Sequence, residues 1–218
     1  MIGRPASQTI DGPAGLLEVV IEEPAHAPVG LAVIAHPHPL QGGTMDNKVV
    51  HTLCRAFVLA GWRAVRFNFR GVGQSEGGWD EGRGETADLL TVVAHHLTDP
   101  ALKGLPPALA GFSFGGYVAA QAHARLSEAV ANRPELVAPK QLVLVSPATS
   151  RYEVPEVPAH TLLVEGEQDD VVPLASILDW ARPQGLPITV VPGTGHFFHG
   201  KLTVLREVVL RHLRAAAV

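Results

Sequence analysis

The sequence predicts an α/β protein: a mostly parallel central sheet of about seven or eight strands, helices on both faces and no cap domain. Two observations carry this. Short runs rich in apolar and β-branched residues alternate with stretches of helical periodicity along almost the whole chain. Most of those runs are close to continuously apolar, as strands covered on both sides must be. Proline and glycine cluster between the elements, and the 218 residues contain no internal repeat, low-complexity tract or linker, so one domain spanning 1–218 is expected.

In chain order, the first strand candidate is "GLLEVVIEE" (15–23). It alternates, and it suits an antiparallel place at an edge, with "SQTID" before it as partner. "GLAVIAH" (30–36) is buried-type, and a helix follows over 46–60, closed by Gly61 where a C-terminal cap glycine belongs. "WRAVRFNF" (62–69), a helix over 84–98, "PPALAGF" (106–112) and a helix over 114–127 come next. The chain ends with "QLVLVS" (141–146), "TLLVEGE" (161–167), a helix over 173–182, "PITVVPG" (187–193) and a helix over 199–214.

Composition narrows the function. Hydrophobic residues make up 46% and charged residues 17%, as in a globular protein, and a net charge of −4 offers no basic field for nucleic acid or anionic lipid. The N-terminal stretch has no unbroken apolar run, and no membrane-length segment occurs, so a cytoplasmic location without membrane association is expected. The single cysteine, Cys54, shares helical spacing with Val50, Leu53, Phe57 and Val58 and reads as a core thiol.

In an open α/β sheet, function collects beyond the C-terminal strand ends. Ser113, in "GFSFGGY", follows one strand and opens a helix, the context of a nucleophile on a sharp turn. Gly111 and Gly115 flank it where strand and helix pass closely. A serine hydroxyl needs a base to take its proton and a carboxylate to orient that base. Gln168-Asp169-Asp170 follows one later strand and Thr194-Gly195-His196 the next, which supplies both in the order serine, acid, histidine. The reaction also needs N–H donors for an oxyanion. One is the amide of Phe114. The other comes from "HPHPL" after the strand at 30–36, where Pro37 and Pro39 have no N–H, leaving His38 and Leu40.

These loops, "GFSFGG", "GEQDDVVP" and "GTGHFFHG", resemble the nucleophile, acid and histidine loops of the α/β-hydrolase superfamily. "HPHPLQGGTMDNKVV" with "VRFNFRGVGQSEG" is similar to a branch of small bacterial lidless serine hydrolases related to dienelactone hydrolase. The branch's G-x-x-D-x-x-V-P pattern falls on Gly166, Asp169, Val172 and Pro173, which favours Asp169 over Asp170. Its H-G-x donor motif, laid over His36-Pro37-His38, points to His38, with Leu40 as competitor. Dienelactone hydrolase itself uses a cysteine where this chain has Ser113, so the resemblance does not imply its substrate. It implies a carboxylesterase acting through Ser113, His196 and Asp169. A thioesterase, lactonase or amidase uses the same constellation, and a catalytically idle binding module is the alternative of another class.

Only 14 residues separate the strands ending at 146 and beginning at 161, too few for a helical cap, so Ser113 is expected to be open to solvent and the substrate to be a small ester. His36 with His38, and His196 with His199, lack the partner spacing of a metal site, and "GVGQSEGG" has Glu76 where a dinucleotide fingerprint needs glycine. Neither metal nor cofactor is expected. His36 reads as a loop-fixing residue, His199 as a helix-start or pocket-wall residue, His95 and His96 as solvated surface, Arg70 and Glu76 as charged loop residues, and residues 71–78 as a turn and flexible loop. The chain is expected to be a monomer, or a homodimer through an exposed edge strand.

Overall fold

The described residues of the computed structural model, 6–133 and 135–216, place eight strands in one sheet of order β1-β2-β4-β3-β5-β6-β7-β8. These are β1 (Gln8–Gly12), β2 (Gly15–Glu22), β3 (Leu31–Ala35), β4 (Arg63–Phe67), β5 (Pro107–Phe112), β6 (Gln141–Val145), β7 (Leu162–Gly166) and β8 (Ile188–Val191). Five α-helices accompany them: α1 (Lys48–Leu59), α2 (Arg83–His96), α3 (Phe114–Asn132), α4 (Leu174–Ala181) and α5 (Leu202–Ala215). Residues 1–5, within the N-terminal stretch read above, lie outside the described set.

Strands β3 to β8 run parallel to one another, and β2 is antiparallel to both its neighbours, β1 and β4. The "SQTID" stretch is thus a true edge strand, and it moves β2 inward. Every residue of β3, β5, β6 and β7 is buried, which explains why those strands read as apolar runs. Side chains alternate between two cores. Leu31 and Val33 face one with Leu89 of α2, Val118 of α3 and Ile177 of α4. Ala32 and Ile34 face the other with Leu53, Cys54 and Phe57 of α1 and Leu205 and Val209 of α5. Cys54 is a core thiol whose pKa burial pushes up.

Between β3 and β5 the chain changes sides: β4 lies beyond β3 in one direction, while β5 to β8 continue in the other. The crevice past their carboxyl ends is the switch point at which such sheets build sites. The connection from β6 to β7 holds turns and no helix, so no cap domain folds over it. No helix among the described residues is long and apolar enough to cross a membrane.

Three expectations need correction. Helix α3 runs on to Asn132, because nothing in "RLSEAVAN" breaks a helix before Pro134. His96 is buried, not solvated: it follows Leu89, Val92 and Val93 at helical spacing on the inner face of α2. The loop over 71–78 is pinned by buried partners. Glu18 accepts from Asn68 Nδ2 at 2.7 Å and from the Gln74 N–H at 3.0 Å, and Ser75 donates to the Asn68 carbonyl at 2.7 Å.

Candidate active site

Ser113 sits between the last residue of β5 and the first of α3, at φ 57° and ψ −118°. A side chain held at positive φ is strained, and that strain requires tight surroundings. Its neighbours supply them. A Cβ on Gly111 would run into the Gly115 carbonyl, and one on Gly115 into the carbonyls of Ala35 and His36. Only glycine permits strand, turn and helix to approach this closely, and the result lifts Ser113 out of the strand line.

The structure brings Ser113, His196 and Asp169 together. His196 Nε2 lies 3.1 Å from Ser113 Oγ, and His196 Nδ1 lies 2.7 Å from Asp169 Oδ2. The other Asp169 oxygen accepts the N–H groups of Val171 and Val172 at 2.9 and 2.7 Å. Burial opposes ionisation of Asp169, but its hydrogen bonds, led by that from His196, outweigh it and hold the carboxyl below its ordinary range. Asp170 is exposed and takes no part in the arrangement. An imidazole anchored through Nδ1 presents Nε2 to the serine, which equips it to accept the hydroxyl proton.

The loop after β3 forms the facing wall. His36 is fully buried, with Nδ1 donating to the Pro37 carbonyl at 2.6 Å and Nε2 accepting the Phe69 N–H at 3.0 Å. Both ring nitrogens are occupied, and burial keeps the ring neutral with a pKa lowered to about 3. His36 therefore fastens the loop to the end of β4. Next along, His38 caps a short 3₁₀ turn, Pro39–Gln41, by accepting the Leu40 N–H on Nδ1 at 3.2 Å. The Leu40 amide is thereby spent, and its side chain is 70% exposed, outside the cleft. The His38 amide has no partner among the described residues, nor has that of Phe114 at the positive end of α3. The His38 ring packs on Trp79 and Phe114 at centroid distances of 4.5 and 5.2 Å.

Ser113 is 8% exposed, so it lies at the base of a cleft and is not freely open, the loop after β3 and Phe197 forming the walls. The adjoining cavity holds about 150 Å³ and is bordered by His38, Gln41, Ser113, Val171, His196 and Phe197. A wider one of about 410 Å³ shares Phe197 and Asn47 and has His199 in its wall, as expected for that histidine. Arg70 and Glu76 do not border the cleft at Ser113. Arg70 forms a two-pronged pair with buried Asp88, 2.7 Å at its shortest, and Glu76 accepts the Leu16 N–H at 2.8 Å. No group of three or more His, Cys, Asp or Glu among the described residues is placed to hold a metal ion. One residue escaped sequence reasoning: Glu165, fully buried on β7 next to Asp169. Its signal was a carboxyl inside an otherwise apolar strand.

A serine on a strained strand-to-helix turn, met by a histidine and an acid from later strand ends, is the arrangement of α/β hydrolases. Comparison with known proteins agrees. The model of the family described as serine aminopeptidase, S33 matches residues 38–177, well over half of the chain. An α/β serine hydrolase without lid from Xanthomonas campestris, XC6422, is 34% identical, with 99% of this chain and 96% of that one covered and a TM-score of 0.84. An α/β serine hydrolase homologue from Coxiella burnetii is 36% identical, covering 98% and 99%, with a TM-score of 0.80. An uncharacterized protein of Rickettsia prowazekii is 29% identical over 216 residues, 93% of this chain and 86% of that one. The chain belongs to the serine aminopeptidase S33 family of the α/β-hydrolase superfamily, and the Xanthomonas structure similar to it is a serine hydrolase without a lid.

Proposed function

We propose that this serine hydrolase is a carboxylesterase for small acyl esters, working through an acyl-enzyme on Ser113. The observation that carries the proposal is the unbroken chain from Ser113 Oγ through the His196 ring to Asp169, with contacts of 3.1 and 2.7 Å. Ser113 Oγ attacks the ester carbonyl carbon while its proton passes to His196 Nε2. The carbonyl oxygen becomes an oxyanion, and the amides of Phe114 and His38 are the donors that receive it. Collapse breaks the bond to the alcohol, which leaves with the proton from His196. Water then attacks the acyl-enzyme by the same route and releases the acid. Asp169 orients the imidazole and stabilises its cation throughout. The small cavity beside Ser113 suits a short acyl group, and the absence of a cap suits a substrate that arrives from water.

The test is hydrolysis of p-nitrophenyl acetate, together with labelling by a fluorophosphonate. Ser113→Ala should lower kcat by more than about 10⁴-fold and abolish labelling while the fold is kept. Near-wild-type hydrolysis by that variant would defeat the assignment of Ser113. A wild-type protein that neither hydrolyses esters nor takes the label would point instead to a binding module. A panel of esters, thioesters, lactones and amides then ranks the acyl chemistries, with short esters expected first.

A further inference from the structure

Glu165 lies on β7, fully buried, one strand residue before Gly166 and four residues before Asp169. Its Oε1 accepts two hydrogen bonds at 3.0 Å, one from the Ser146 hydroxyl and one from the Gly166 N–H. Ser146 directly follows β6 with φ 43°, a conformation that a residue bearing a Cβ adopts only at a cost, and its own N–H is tied to the Val164 carbonyl at 2.9 Å. The fold thus strains one residue in a place where its hydroxyl reaches this carboxyl. The second oxygen, Oε2, is enclosed and finds no donor among the described residues. If Glu165 were ionised, a buried anion with an orphaned oxygen would sit against Asp169, which must itself carry charge to hold His196. Both difficulties vanish with one proton on Oε2. Oε1 is then a carbonyl oxygen with its two donors, and Oε2–H has an acceptor in Asp169.

Resting on the triad proposed above, we propose that Glu165 is a positioning residue, held protonated at neutral pH so that it donates a hydrogen bond to Asp169 and fixes that carboxylate against His196. Asp169 then receives the amides of Val171 and Val172, the imidazole N–H and the Glu165 hydroxyl, which fills about four acceptor sites of a carboxylate. A saturated carboxylate is a weak base, so the proton taken from Ser113 stays on the imidazole. Burial first, and the neighbouring Asp169 second, raise the Glu165 pKa to about 9. The titratable groups facing it are Asp169 in the loop after β7 and, beyond it, His196 from the loop after β8. The residue after β6 contributes the Ser146 hydroxyl, and β8, whose Val190 is the register partner of Glu165, carries no charge. Loss of its proton sets a second anion beside the first, so activity should fall as pH rises through that value.

The test combines infrared difference spectra, proton NMR of the His196 Nδ1–H, and p-nitrophenyl acetate kinetics across pH. Wild type minus Glu165→Gln should show a protonated carboxyl band at neutral pH that fades near pH 9, whether or not esters are hydrolysed. The low-field Nδ1–H signal should be kept in Glu165→Gln and shifted or lost in Glu165→Ala. In kinetics, Glu165→Gln should stay within about threefold of wild type at neutral pH and lack the alkaline fall, whereas Glu165→Ala should lose about tenfold to a hundredfold in kcat with KM little changed. A wild-type protein without the neutral-pH band, or a folded Glu165→Gln as impaired as Glu165→Ala, overturns the proposal. A band and a Glu165-dependent Nδ1–H signal in a protein that neither hydrolyses esters nor labels would support the Glu165 assignment and reject the esterase one.

Discussion

The Leu40 N–H donates to His38 Nδ1 at 3.2 Å, and this contact separates two residues that their positions in the sequence leave equal. It removes the Leu40 amide from competition and stiffens the turn that carries the His38 amide. His38 has φ −53°, within reach of proline, so its N–H is removable with little backbone change. His38→Pro should lower kcat by about a hundredfold, the scale of losing one oxyanion donor. His38→Ala keeps the N–H and loses only ring packing and the Leu40 bond, so a drop of about tenfold or less is expected. Equal activity of the two variants would remove His38 from the oxyanion role.

Asp169 and Asp170 are adjacent in sequence and opposite in circumstance. The first is buried and receives two backbone amides and the imidazole, while the second is exposed. Asp169→Asn should cost about 10³- to 10⁴-fold in kcat, because an amide stabilises the wrong imidazole tautomer and no cation. Asp170→Asn should leave kcat within about twofold, as for a solvated surface group. Steady-state kinetics on a small ester checks both, and a large loss in the second variant would shift the acid by one residue.

Legibility followed the range of the interactions. The strands were readable because parallel strands buried on both faces are apolar throughout, and Ser113, Asp169 and His196 stood at strand ends where the topology collects chemistry. His96 was misjudged by its polarity, although Leu89, Val92, Val93 and His96 follow the spacing of a buried helix face. The choice between His38 and Leu40 depends on a side-chain rotamer, which spacing does not encode. Glu165 depends on register: its partner Ser146 is 19 residues away and reaches it only because β6 and β7 are neighbours.

The glycines around Ser113 are a stability statement as well as a geometric one. Gly111→Ala would press a methyl against the Gly115 backbone, which has no flexible end to yield. Overpacking of this kind costs about 1–3 kcal/mol, or a fall in Tm of about 3–10 °C for a chain of this size. Gly42→Ala meets no atom of the described residues within 4 Å and suffers only from its φ of 75°, so its loss should be about 1 kcal/mol. Thermal unfolding of the two variants checks the order, and a Gly111→Ala protein as stable as wild type would mean that the turn relaxes freely.

Buried groups of opposite type set the dependence of stability on pH. Burial lowers His36 to about 3 and His96 to about 4, both from an ordinary 6.5. Below 6.5 the unfolded chain binds protons that the folded one refuses, so their contribution is present above 6.5 and lost as pH falls towards those lower values. Glu165 runs the other way. Raised from 4.5 to about 9, it keeps a proton that the unfolded chain releases, so its contribution is full below 4.5 and lost as pH rises through 9. Each group contributes a slope of up to about 1.4 kcal/mol per pH unit within its window. Between 4.5 and 6.5 these imidazoles, with His38, His123 and His212 lowered by burial as well, outweigh one carboxyl and stability climbs; well above 6.5 the carboxyl acts without them and stability declines. Urea unfolding across pH should therefore place the maximum close to neutrality, with a shallower acid side in His96→Leu and a flattened alkaline side in Glu165→Gln. A wild-type curve that keeps rising through pH 8, about midway to the Glu165 value, would show that this carboxyl is ionised in the folded chain.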